Sequence, residues 1–213
     1  MITVQTFVFN IIAENTYLLY DETKEAVLID CGCMVAAEEQ KLAGFISQNG
    51  IQLKRNLCTH LHFDHILGNH FIYQTYGIKP EAHRKEVELL PSIKQQMLSM
   101  RIRLPVQWME VEDYLVGNET IRFGESELVT LLVPGHSPGS LAYYSRKDGF
   151  IVVGDVLFKG SIGRSDFWGG NHEMLVAAIK DKILCLPDET IVYPGHGPST
   201  TVIEEKLNNP FLY

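Results

Sequence analysis

β-Rich and helical segments alternate along the chain in two successive rounds, and this order is the strongest constraint on the fold. The first round has three predicted strands within residues 2–29 and a helix over 35–48. The second has four strands within residues 119–153 and a helix over 171–184. This order predicts an α+β fold, a four-layer αββα sandwich of two mixed β-sheets with helices on the outer faces. Because no linker separates the rounds, residues 1–213 are predicted to form a single domain.

Composition narrows the class of protein. The 213 residues have a mass of 24.1 kDa, and 46% are hydrophobic and 21% charged, which is typical of a globular domain and excludes a disordered chain or a coiled coil. No apolar run approaches the ~18 residues needed to span a bilayer, and the first residues resemble a strand rather than a signal peptide. We therefore expect a cytoplasmic protein without a membrane partner.

Net charge and cysteine content limit the classes of molecule that the protein is expected to bind. The net charge is −8, and basic residues occur at most in adjacent pairs. The sequence therefore shows no basic patch of the kind that binds nucleic acid. The 4 cysteines are predicted to be reduced packing or turn residues. Nucleic acid is therefore not an expected partner, whereas a small-molecule substrate is.

Metal-binding residue types concentrate between residues 60 and 65. The segment contains His60, His62, Asp64 and His65. In an extended chain His60 and His62 point the same way and can bind one ion together, whereas the other two can face the opposite way as the chain turns. Imidazole with carboxylate suits zinc, iron or manganese. The alternative, a solvated polar loop, requires a rare chance match at four positions.

Three more residues with side chains that can bind metal follow apolar strands further along the chain. His136 and His196 lie in the related segments 133–138 and 193–198, each of which contains Pro-Gly-His, and Asp155 directly follows the apolar run 150–154. Proline and glycine favour a tight exit from a strand, which leaves the histidine at the strand end. Loops held by a rigid scaffold are where functional sites are built, so these residues are predicted to join a metal site.

Taken in order, these residues resemble the full ligand pattern of the metallo-β-lactamase-fold hydrolase superfamily. The resemblance covers essentially the whole chain and includes an early Asp-x-Gly turn at Asp30. Within that superfamily the chain is most similar to the short, single-domain glyoxalase II-like (hydroxyacylglutathione hydrolase-like) group. The segments that carry this similarity are 154–158, 163–166 and 193–201.

The resemblance implies a site with two divalent metal ions, zinc first and iron or manganese as alternatives. The ligands of one ion would be His60, His62 and His136, and those of the other Asp64, His65 and His196. Asp155 would bridge both ions, a bridging hydroxide would be the nucleophile, and Asp64 is also predicted to be catalytic.

The same resemblance implies hydrolysis of thioesters such as S-lactoylglutathione. A thiol has a pKa of about 8.5, so a thiolate leaves with little help from a proton, whereas an amide nitrogen must be protonated. The alternative is a mononuclear-iron persulfide dioxygenase, because segment 163–167 also resembles those enzymes. Their iron ligands match His60, His136 and Asp155. A nuclease is disfavoured by the acidic charge, and a non-catalytic metal-binding protein by the complete ligand set.

Arg164 is the predicted substrate-binding residue. It could meet a substrate carboxylate through two hydrogen bonds, or it could pair with Asp166 and brace its own loop. Phe167 and Trp168 could line a pocket or pack in the core. The apolar side chains of the predicted helical region 84–100 could likewise pack in the core or form a lid.

Overall fold

The computed structural model describes residues 1–102 and 107–213. In them the predicted class is confirmed: the fold is α+β, with two six-stranded mixed β-sheets, one two-stranded ribbon and helices. The strands are β1 Thr3–Phe9, β2 Glu14–Tyr20, β3 Glu25–Ile29, β4 Gln52–Leu57, β5 Pro80–His83, β6 Asp113–Leu115, β7 Thr120–Phe123, β8 Ser126–Leu132, β9 Leu141–Ser145, β10 Phe150–Gly154, β11 Leu157–Phe158, β12 Ser161–Ile162, β13 Ile191–Pro194 and β14 Thr200–Thr201. The α-helices are α1 Ala36–Gln48, α2 Asn69–Tyr76, α3 Arg84–Leu89, α4 Ile93–Ser99, α5 His172–Ala178 and α6 Val202–Asn208.

The first sheet has the strand order β1-β2-β3-β4-β5-β6. Its first three strands are antiparallel, whereas β3 pairs with β4, and β4 with β5, in parallel. Because β3 and β4 run in the same direction, the residues that follow them leave the sheet at the same edge. Asp30 follows β3 directly, and Thr59 and His60 come shortly after β4.

The second sheet has the order β14-β13-β10-β9-β8-β7. Strand β10 is parallel to β13 and antiparallel to β9, which is itself antiparallel to β8. Strands β8, β10 and β13 therefore all point the same way, and their carboxyl ends lie at one edge of the sheet. His136, Asp155 and His196 follow these three strands, so the sheet brings them to that edge.

The chain divides into two compact units, each with its own apolar core. One comprises Met1–Ala82, Pro91–Tyr114 and Arg122–Ser126, and the other His83–Leu90, Leu115–Ile121 and Glu127–Tyr213. The core of the first unit is buried between strands and helix α1; its members include Phe9, Leu18, Leu28, Leu42, Ile46 and Ile72. The core of the second unit joins β8, β10 and β13 to helices α5 and α6; its members include Val133, Ile151, Val153, Leu175, Ile179, Val192 and Val202.

The helices differ in detail from the sequence prediction. The helical region 84–100 is interrupted around Pro91, as predicted, but the second helix begins two residues later because Ser92 caps it by accepting a hydrogen bond from the Gln95 amide. The helix predicted over 171–184 is α-helical only through Ala178 and continues as a π-helical turn. Among the helices in the described part of the chain, none combines the length and apolar character needed to cross a bilayer.

Candidate metal centre

Three buried imidazole rings lie in contact at the end of β4. His60, His62 and His65 are 1%, 8% and 0% exposed. The ring centroid of His60 is 4.6 Å from that of His62 and 4.2 Å from that of His65. The segment between them is extended at His62 and then forms a short 3-10 turn over Phe63–His65. Protonating such crowded, buried rings is costly, so the cluster favours the binding of metal cations.

The Nδ1 atoms of His60 and His65 are oriented by Thr59 and Asp30. His65 Nδ1 is 3.0 Å from Asp30 Oδ2, a carboxylate oxygen that accepts, so Nδ1 carries the proton. The Thr59 hydroxyl donates to the same oxygen at 2.6 Å, so the Thr59 oxygen accepts from His60 Nδ1 at 2.9 Å. In both rings the lone pair is left on Nε2, which is the arrangement of histidines that bind a metal.

Asp30 orients candidate ligands through hydrogen bonds. Its Oδ1 accepts a hydrogen bond from the Thr59 amide at 2.6 Å, and its Oδ2 accepts from the Thr59 hydroxyl and from His65. Asp30, His60 and His65 could by distance alone hold an ion, but those three hydrogen bonds already occupy three of the roughly four lone-pair sites of the carboxylate. The residue is 1% exposed and has φ of 53°, a left-handed conformation that aspartate tolerates better than most residues.

An Asp30→Ala variant is expected to bind divalent metal about 10- to 100-fold more weakly, the usual cost of losing an outer-shell partner. The change removes the acceptor for His65 Nδ1–H and for the Thr59 amide. Titration of metal-free protein with Zn²⁺ in a competing chelator measures the effect. The control is Asp188→Ala, which removes a carboxylate that pairs with Lys206 on the surface. Equal metal affinity of Asp30→Ala and wild type would contradict the supporting role.

Asp64 lies beside His65 in the same unit. Its Oδ2 is 3.5 Å from His65 Nε2, so the two potential ligand atoms are neighbours. The Asn10 side chain donates to the carbonyl oxygens of Asp64 and Gly32, both at 3.0 Å, and so fixes the loop. Glu14, fully buried, lies 4.0 Å from His65 Nδ1. Burial raises the pKa of Glu14 well above its usual range, although His65 opposes this shift.

In the second unit two imidazoles converge on one carboxylate oxygen. His136 Nε2 is 3.8 Å and His196 Nε2 is 3.7 Å from Asp155 Oδ2. These distances are longer than a hydrogen bond, but they suit pairs of atoms that bind the same cation. His136 Nδ1 donates to the Arg164 carbonyl oxygen at 2.7 Å, which again leaves Nε2 as the acceptor. The donor set therefore fits divalent metal.

A buried glutamate that the sequence analysis missed holds the loop of His136. Glu86, on α3, is 1% exposed, and its Oε1 accepts from the Ser137 hydroxyl at 2.7 Å and the Gly139 amide at 2.5 Å. The Ser137 hydroxyl is also 2.6 Å from that of Ser140. The helical region 84–100 therefore does more than pack apolar side chains, a role that its sequence pattern did not indicate.

Arg164 adopts the loop-bracing arrangement that the sequence left open. Its guanidinium donates to both carboxylate oxygens of Asp166, at 3.0 and 2.9 Å, and lies 3.8 Å from the centroid of the Phe167 ring. These hydrogen bonds lower the pKa of Asp166. The Phe167 ring in turn stacks on Trp168 at 5.3 Å. The Arg164 side chain remains 59% exposed, so contact with a substrate carboxylate stays a prediction.

Two histidines and three cysteines outside the candidate site lie in other environments. His83 caps α3 by accepting a hydrogen bond from the Lys85 amide, and His172 is exposed at the start of α5. Cys31 and Cys33 are buried with their sulfur atoms 3.5 Å apart, and Cys58 is also buried. Burial and the contact with Cys33 raise the pKa of Cys31, so its thiol stays protonated in the core.

The sequence model of the Metallo-beta-lactamase superfamily matches residues 11–196, which is most of the chain. The chain belongs to the metallo-beta-lactamase superfamily. Membership of this superfamily, and the similarity to probable metallo-hydrolases, support a metal-binding enzyme of the hydrolase type.

Curated relatives cover nearly the whole chain. The probable metallo-hydrolase YqgX of Bacillus subtilis is 35% identical over 201 residues, 94% of this chain and 93% of that protein. Hydroxyacylglutathione hydrolase GloC of Haemophilus influenzae is 33% identical, over 93% of this chain and 92% of that protein. Mitochondrial persulfide dioxygenase ETHE1 of Bos taurus is also 33% identical, over 92% of this chain and 70% of that protein.

Two solved structures share the fold over almost their whole length. One is the B3 metallo-beta-lactamase BLEG-1, with a TM-score of 0.87 and 36% identity over 99% of each chain. The other is TTHA1623 in a di-iron-bound form, with a TM-score of 0.86 and 32% identity over 98% of this chain and 100% of that one.

Proposed function

We propose that the protein is a thioester hydrolase that uses two divalent cations. His60, His62 and His136 would hold one cation, Asp64, His65 and His196 the other, and Asp155 would bridge them. The observation that carries the proposal is the orientation of the donors. The Nδ1 atoms of His60, His65 and His136 are engaged by neighbouring oxygens, which leaves Nε2 for metal.

When bound, such cations would supply Lewis acidity, which can lower the pKa of a bound water from about 15.7 to about 7 and polarise a substrate carbonyl. The protein's own residues then hold and orient the reacting groups. Asp64 is the proposed catalytic carboxylate, because an oxygen not used by a cation could take up the proton that a water loses when it becomes the attacking hydroxide. The buried Asp30 keeps His65 in one tautomer throughout.

The leaving group favours a thioester. A thiolate departs without protonation because the pKa of a thiol is about 8.5, whereas an amine must leave protonated. The similarity to a hydroxyacylglutathione hydrolase points to acylated glutathione as the first thioester to test. A β-lactam belongs in the same comparison, because a solved relative is named as a B3 metallo-beta-lactamase.

Metal quantification paired with a substrate panel tests the proposal. Protein purified without chelator is analysed for zinc, iron and manganese, and is then assayed with S-lactoylglutathione, simple acyl thioesters and a β-lactam. We expect up to two bound ions per chain, zinc being the first candidate, and hydrolysis of thioesters in preference to the β-lactam. Protein that holds no transition metal, or that cleaves only the β-lactam, would refute the proposal.

The second candidate function is persulfide dioxygenation with one iron. It is favoured by the similarity to ETHE1 and by the sequence Gly163-Arg164-Ser165-Asp166-Phe167. Iron would be held by His60, His136 and Asp155. Oxygen uptake by the iron-loaded protein in the presence of glutathione persulfide would support this candidate, and its absence would dismiss it.

An Arg164→Ala variant is expected to raise KM for an acidic thioester several-fold with kcat little changed, the result of losing uniform binding. The carbonyl oxygen that accepts from His136 belongs to the backbone and is retained. The control is Asp166→Ala, which removes the partner of the guanidinium but keeps the arginine. If KM stays unchanged in Arg164→Ala, arginine only braces the loop.

A further inference from the structure

A single buried glutamine contacts the backbone on both sides of His62. Gln96 lies on α4 and is 1% exposed. Its Oε1 accepts from the Phe63 amide at 3.0 Å, and its Nε2 donates to the Leu61 carbonyl oxygen at 3.0 Å. The second Nε2 proton points to the Pro91 carbonyl oxygen, also at 3.0 Å. One primary amide thus makes three hydrogen bonds, all to backbone.

These contacts restrain the two peptide units that flank His62. The Leu61 carbonyl belongs to the peptide before His62, and the Phe63 amide to the peptide after it. Fixing both units limits the φ and ψ angles of the residue between them, which are −70° and 144°. Since those angles set the direction of the Cα–Cβ bond, the amide of Gln96 fixes the direction in which the His62 side chain leaves the backbone.

Helix α4 is itself held in place, so the backbone from which the Gln96 side chain extends has a fixed position. Ser92 and Gln95 form a capping box at its first turn. Met97, the neighbour of Gln96, is buried in an apolar cluster with Phe63 and Leu67. The helix therefore packs on the same loop that its glutamine restrains, and the two contacts reinforce each other.

We propose that Gln96 is a positioning residue that aligns His62 for cation binding. The inference rests on the proposed function, because it takes His62 as a metal ligand. His60 and His65 are oriented through their rings by Thr59 and Asp30, whereas His62 is oriented through its backbone. Satisfying buried backbone groups is the simpler role for such a glutamine. The two roles differ in their effect on metal affinity.

Titration of the metal-free protein, residues 1–213, with Co²⁺ distinguishes the positioning role of Gln96 from a purely structural role. The test variant is Gln96→Met, which preserves side-chain length and removes all three hydrogen bonds. One control is Ser92→Ala, which weakens the cap of α4 without touching the His62 loop. The other is Lys94→Leu, on the exposed face of the helix. The readouts are the affinity for each ion, the visible spectrum of bound Co²⁺ and thermal unfolding of the metal-free protein.

We expect Gln96→Met to bind one of the two Co²⁺ ions about 10-fold more weakly, the lower end of the cost of losing an outer-shell partner, with an altered spectrum for that ion. Ser92→Ala should lower the unfolding temperature and keep both affinities. If Gln96→Met keeps both affinities and the spectrum while its unfolding temperature falls, the role is structural and the inference is wrong.

Two further outcomes keep the test decisive. If Gln96→Met does not fold, Gln96→Ala replaces it, since the space it opens can admit a water that bridges the freed backbone groups. The same 10-fold loss is expected there, and unchanged affinity would overturn the inference. Wild-type protein that binds no Co²⁺ would instead refute the proposed function, and the inference with it. Wild-type binding with an unaffected variant refutes the inference alone.

Discussion

A His62→Ala variant should lose metal and hydrolytic activity together. The side chain is 8% exposed, and its ring lies 4.6 Å from that of His60, so its removal leaves a gap within the donor set. We expect the affinity for one ion to fall by more than about 100-fold, beyond the cost of losing an outer-shell partner. Elemental analysis and thioester turnover measured on the same preparation check both losses.

The matched control for this variant is His172→Ala, which removes an exposed histidine at the start of α5. It should keep wild-type metal content and turnover. A His62→Ala protein that retains full metal content and activity would show that this imidazole is not a ligand, and would remove the basis of the proposed site.

A Gly163→Ala variant is expected to be strongly destabilised and to bind metal poorly. A Cβ atom at this position would overlap the carbonyl oxygen of Asp155 and crowd His136 Nδ1. Overpacking typically costs about 1–3 kcal/mol, and we expect the upper end here because the obstacle is backbone that cannot rotate away. Because both neighbours are proposed ligands, metal affinity should fall with stability. Chemical denaturation and Zn²⁺ titration measure the two effects.

The control is Gly44→Ala in helix α1, where an added Cβ has nothing within 4 Å. Alanine favours helix over glycine, so this variant should gain up to about 1 kcal/mol of stability. Wild-type stability of Gly163→Ala would mean that the segment after β12 can move away from Asp155, contrary to its close packing in the second unit.

Much of the candidate site could be predicted from the sequence, because its residues occur in short, local patterns. His60, His62, Asp64 and His65 lie within six residues, and period-two geometry alone relates the first pair. His136, Asp155 and His196 each follow an apolar strand, a pattern that predicts a loop at a sheet edge. The five short strands β5, β6, β11, β12 and β14 were not predicted, because they have too few residues for a periodic signal.

The supporting residues could not be found in this way, because their partners are distant in the chain. Glu86 contacts a loop 51 residues away, and Gln96 contacts a loop 33 residues away. Both lie in a helical region whose apolar pattern predicted only packing or a lid. For Arg164 the sequence offered two partners, a substrate carboxylate and Asp166, and only side-chain geometry could show the pairing with Asp166.

The sequence alone determined the class of fold, the superfamily and the residue types available to bind metal, because periodicity and short motifs are properties of neighbouring residues. Only the tertiary structure decided which ring nitrogen of His60, His65 and His136 faces an oxygen, since those oxygens are supplied by Thr59, Asp30 and Arg164. It also decided that a glutamine holds the backbone around His62. Hydrogen-bond partners are selected by distance in space, which spacing along the chain does not specify.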